Sequence, residues 1–201
     1  MDSENRLHQY SSEVEIGVSF GGLFSAVSIF FTGLLISSYD SFTNFVRIPL
    51  LFLILSTFGF VYATLIYANA SGYLNRNDLK DCKKAIHTAD ILSEFMGVYS
   101  LLICIPLVIP LVTDDPFLVY SVLLIDALGL MVYHYSKFSI IINYFPNTHL
   151  LIALSLVLLM WSMVLIQNSN LDSLLTPIVA FTLLYLIFIS FFSLRKIPQV
   201  D

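Results

Sequence analysis

Six apolar runs dominate this chain, at about 16–36, 48–70, 89–112, 117–135, 149–166 and 174–194, separated by short polar breaks. Each is close to the ~20 residues that a helix needs to cross a bilayer. In hydrocarbon every backbone N–H and C=O must be paired within the protein, so a run of this length can only be a helix or part of a closed barrel. The runs are continuous rather than alternating, which selects the helix. The expected fold is therefore an all-α integral membrane protein, one polytopic domain over residues 1–201 built as a bundle of six transmembrane helices. Composition agrees. Hydrophobic residues make up 58% of the chain and charged residues 11%, against roughly 25% charged in a soluble domain. A net charge of −5 argues against nucleic acid, whose binding demands a basic face. The expected partner is the lipid bilayer, with the cell membrane the expected location.

Basic residues orient the bundle. With six crossings, the N-terminus, the second-to-third and fourth-to-fifth links and the C-terminus share one side. They hold Arg6, Arg76, Lys80, Lys83, Lys84, Lys137, Arg195 and Lys196, eight of the nine Lys and Arg, leaving only Arg47 opposite. Both termini are expected in the cytoplasm. The segment before the first run has one Arg against four acids, unlike the basic start of a cleavable signal peptide, so the first span is expected to stay. Cys82 and Cys104 fall on one expected helix and cannot pair within it.

Small residues mark expected helix contacts. In the first span Gly17, Gly21, Ser25, Ser28 and Thr32 recur every three or four residues, a stripe that suits close helix packing and, alternatively, a pathway or a partner subunit. Ser56, Gly59, Ala63 and Ala70 form a second seam. Pro106 and Pro110 should kink the outer end of the third helix. Asn77 or Asp78 should cap its start. Ser136–Thr148 is too apolar for a free loop, so either the fourth helix continues to Tyr144 or the segment lies in the interface. Tyr133, Tyr135, Tyr144 and Phe145 on one side, with Tyr39, Phe42 and Phe45 on the other, read as aromatic belts.

Function must be sought in the ionisable residues, which are costly at membrane depth and usually face a bundle interior or a wet cavity. The third helix extends into the cytoplasm and carries His87, Asp90 and Glu94 on one face across the expected water–lipid boundary. Asp126 falls near the middle of the fourth span, with Tyr62, Ser25 or Thr182 as candidate hydrogen-bond partners. The leading expectation is a small channel or transporter for a cation or proton, with Glu94 and Asp126 as in-membrane carriers and Asp90 and His87 at the cytoplasmic mouth. A second is a non-catalytic subunit or signalling partner, in a homo-oligomer or beside another membrane subunit, docking through the Gly17–Thr32 stripe. A third is a metal-dependent hydrolase acting on lipid from the cytoplasmic side. His87, His134 and His149 are its weak candidate ligands, since imidazole and carboxylate suit zinc, but no HxxxH, HExxH or CxxC spacing supports it. No nucleophile elbow, P-loop or dinucleotide fingerprint occurs. No cofactor is implied.

Overall fold

The computed structural model describes residues 3–42, 44–136, 140–169 and 171–196. Lys137, and the side chain of Arg6, lie outside the described residues. Among those described there is no strand. The helices are α1 (Ser3–Ser37), α2 (Arg47–Asn75), α3 (Leu79–Ile91), α4 (Tyr99–Val112), α5 (Pro116–Tyr135), the single-turn α6 (Ile141–Tyr144), α7 (His149–Gln167) and α8 (Asp172–Arg195). A π-helical segment, Leu92–Val98, joins α3 to α4 without a break. Six helical bodies are thus long and apolar enough to cross a membrane. Their outward side chains, among them Phe20, Leu23, Phe117, Val132, Leu151 and Phe188, are exposed, as a lipid-facing surface requires.

The caps follow from local chemistry. Asp78 takes the N-cap of α3 and accepts from the Asp81 N–H at 3.1 Å. Asn77 before it holds a positive φ of 60°, which asparagine tolerates better than most residues. Asp115 caps α5 by accepting from the Phe117 N–H at 3.0 Å, and Pro116 follows where its missing N–H costs nothing.

The first-span stripe packs against the chain's own second helix. A Cβ on Gly17 would fall 2.6 Å from the Tyr67 ring, and one on Gly21 would collide with the Thr64 hydroxyl. Ser28 and Ser56 meet at 3.3 Å. The Ser25 and Thr32 hydroxyls turn back to the carbonyls of Gly21 and Ser28, both at 2.7 Å. The face proposed for a partner subunit is therefore already covered by α2. The second seam is as close. A Cβ on Gly59 would lie 2.5 Å from the Gly97 nitrogen and 2.6 Å from the Met96 carbonyl carbon, so α2 and the π segment cross backbone to backbone.

Two features go beyond these expectations and one changes them. The third span carries an irregularity at least two turns before its prolines. Helical structure runs through Pro106 and Pro110 to Val112, whereas at Leu92–Val98 the Tyr99 N–H reaches back five residues to the Glu94 carbonyl. A separate small core of Val14, Ala63, Tyr67, Ala70, Cys82, Ile86 and Ala89 joins α1 and α2 to the first part of the third helix. Finally, α5 does not continue to Tyr144. Both the N–H and the hydroxyl of Ser136 go to the Tyr133 carbonyl, at 3.0 and 2.6 Å, which closes the helix and turns the chain. The link then folds inward, burying Ile141 and Tyr144.

Candidate functional site

At the end of the bundle where α1, α3, the α5–α7 link and the C-terminal end of α8 meet, a cavity of about 800 Å³ opens. α1 contributes Gln9, Tyr10 and Glu13. α3 contributes Lys83, Ile86, His87 and Asp90. The link supplies Ile140, Asn143 and Tyr144, and Lys196 closes the remaining side. Four parts of the sequence far from one another thus converge, and they are the four parts that the basic-residue count grouped on one side.

The polar groups of this cavity are held in place by their neighbours. Asp90 accepts a hydrogen bond from the Tyr67 hydroxyl of α2, the same tyrosine whose ring lies over Gly17. His87, one turn earlier, sits within electrostatic reach of Lys83 and Glu13. Lys196 donates to the Tyr144 carbonyl at 2.9 Å, with its ammonium 4.5 Å from the Phe145 ring centre and 4.7 Å from that of Phe192. Such cation–aromatic packing fixes a lysine that would otherwise be mobile. Burial, and then the Asp90 and Glu94 carboxylates, push the Tyr144 phenol up to about 12, so it remains a proton donor at any physiological pH.

Glu94 lies behind this cavity, only 3% exposed. One carboxylate oxygen accepts from the Ile140 N–H at 2.6 Å and the other from the Tyr99 hydroxyl at 3.4 Å. The Tyr99 ring meets Tyr133 edge-on at 5.7 Å. Asp90 and Tyr144 line the cavity, and Tyr67, Glu94, Tyr99 and Tyr133 lie within bonding or electrostatic reach of them. Charged carboxylates need such donors, since an unmatched one in a low-dielectric interior is very costly.

Asp126 stands apart. The Tyr99–Tyr133 contact sets the antiparallel register of α4 and α5. On that register Asp126 lies about 12 residues beyond Glu94, or roughly 18 Å at the rise of an α-helix. The carboxyl is 6% exposed, and its Oδ2 has no hydrogen-bond partner among the described residues. None of the three expected partners reaches it. Tyr62 points outward, 53% exposed. Ser25 bonds Gly21, and Thr182 donates to the Ile178 carbonyl at 2.8 Å. The Cys104 thiol, which donates to the Pro49 carbonyl at 3.5 Å, is within electrostatic reach of Asp126.

The three histidines do not converge. His134 and His149 stack with ring centres 5.2 Å apart and nitrogens 3.0 Å apart, while His87 lines the cavity. Among the described residues no three His, Cys, Asp or Glu side chains gather where a metal ion could be held.

Compared with known protein families, with curated proteins and with solved structures, the chain finds no match. Of the expected site residues, the fold unites His87, Asp90 and, behind them, Glu94; it leaves Asp126 buried elsewhere in the core. Sequence reading missed Glu13, Tyr67, Tyr99, Asn143 and Lys196. Tyr144, read as belt, is buried, and Tyr133 is half-buried against Tyr99. Only Tyr67, a polar residue on an apolar span near its inner end, carried a signal that could have flagged it.

Proposed function

We propose that this protein is a small transporter of the cell membrane that moves a proton or a cation, with the cavity as its cytoplasmic entrance. The observation that carries the reading is the pair of carboxylates held by tyrosine donors, Asp90 in the wall of a polar cavity and Glu94 behind it. Intramembrane carboxylates of this kind mark ion and proton pathways. His87 and Asp90 stand at the mouth and Glu94 is the inner carrier. The Ile140 N–H that caps Glu94 belongs to the link, so outward movement of residues 140–145 would open Glu94 to the cavity, making that segment the inner gate. Asp126 is the carrier of the far half. A buried carboxyl oxygen without a partner is a standing cost, and a transient ion or proton at that position would offset it.

The test is flux in liposomes containing the purified protein, across a panel of cations and a pH gradient. Wild type should pass one species selectively. Asp90→Asn and Glu94→Gln should each lower that flux at least tenfold, and Asp126→Asn should alter it while the protein stays folded. Flux equal to empty liposomes would sink the transport reading. Normal flux in Asp126→Asn would remove that residue alone.

A further inference from the structure

The charges around the cavity have an unusual relation to one another. Glu13 and Asp90 are negative, Lys83 and Lys196 positive, and all four line one space of about 800 Å³. None of these acids forms an ion pair with either lysine. Among the described residues, the Glu13 carboxylate accepts from Gln9 at 2.9 Å, and that of Asp90 accepts from Tyr67. Lys196 is turned to a carbonyl and two aromatic rings. Opposite charges confined together normally pair, and here local contacts hold them apart. We infer that the cavity binds a small zwitterion, its cationic end toward Glu13 and Asp90 and its anionic end toward Lys83 and Lys196.

A proton or cation entering here answers the acids, and a bound partner is still needed for the lysines. A dipolar solute answers both, and with charge-assisted hydrogen bonds, the strong kind. The volume falls in the usual range of small-molecule sites, roughly 300–1,000 Å³. Tyr10, Gln9 and Asn143 add neutral donors and acceptors at the wall. Two sources share this chemistry: a free solute of the amino-acid class, and the phosphoethanolamine headgroup of a lipid entering from the membrane interface. The inference deepens the transport reading, resting on it for movement of the ligand but not for binding.

The experiment uses the full chain in nanodiscs of phosphatidylglycerol alone. It is titrated with alanine and serine, and with propionate and ethylamine as singly charged analogues, by calorimetry. A parallel set contains phosphatidylethanolamine, and lipid retained by the protein is read by native mass spectrometry. A zwitterion should bind at least tenfold more tightly than either singly charged analogue. Lys196→Gln and Asp90→Asn should each reduce this at least tenfold. Glu13→Gln and Lys83→Gln, at half-exposed positions where folding is not at stake, should reduce it in the same direction. Amino-acid binding assigns a free solute; retention of phosphatidylethanolamine, lost in the same variants, assigns the headgroup. Equal binding of the singly charged analogues, or no binding in either arm by folded protein, would overturn the inference. Proton flux measured without ligand separates the two claims. Binding without flux leaves only the transport reading refuted, and flux without binding only this one.

Discussion

Gly59 shows how little room single atoms have in this bundle. Its absent Cβ would strike the Gly97 nitrogen and the Met96 carbonyl carbon, which are backbone and cannot rotate away as a side chain would. Helix association in lipid lacks a hydrophobic drive and depends on such close packing. We therefore expect Gly59→Ala to destabilise the protein by about 1–3 kcal/mol, the usual cost of overpacking. Gly22, with nothing within 4 Å of its own missing Cβ, should accept alanine with little change. Unfolding in mixed micelles would compare the two, and equal stability would mean that the α2–π crossing is looser than described. The same scale explains why Asp90 and Glu94 persist at depth. Each has a specific phenol or amide donor, whereas the Oδ2 of Asp126 has none.

Among the elements, the inward-folded link and the π segment shape the site together. The π segment begins directly after α3, two residues past Asp90, includes Glu94, and ends at Val98 just before Tyr99. Wider turns of this kind recur at functional positions in helices. Among the described residues, the link gives that segment a backbone donor, the Ile140 N–H. Ile140→Pro removes the donor while keeping an apolar side chain, and Ile140→Ala keeps the donor while trimming the side chain. Hydrogen bonds to charged groups contribute about 1.5–3 kcal/mol, so the proline variant should be the less stable by about that amount. It should also show faster modification of a cysteine placed at position 143, if the segment lifts as the gate reading requires. Matching stabilities for the two variants would remove the Ile140–Glu94 bond from the account.

At the scale of the whole molecule, the cavity gathers the N-terminal helix, α3, the α5–α7 link and Lys196 at one end, which agrees with an even number of crossings. The proposal that this end is cytoplasmic rests on the basic residues. It predicts that reporter fusions after residues 76 and 196 read as internal, and fusions after residues 41, 114 and 169 as external. The opposite pattern would invert the bundle and place the cavity outside the cell. Six long apolar helices were legible in the sequence alone, and the spacing of Gly17, Gly21 and Ser28 marked a face for close approach, with a pathway or a partner subunit as its alternative. Bilayer thickness sets a length, and close approach demands small residues at helical spacing, so both leave local marks. Tertiary structure decided the rest. That the Ser136–Thr148 link folds inward depends on Glu94 waiting for its amide. That Tyr67 donates to Asp90, and that Tyr144 is buried near Asp90 and Glu94 rather than standing in a belt, depends on which carboxylates stand opposite. That Asp126 is remote from Glu94 depends on the register of α4 against α5. Each of these is a relation between residues distant in the chain, and no pattern of period or composition encodes a relation of that kind.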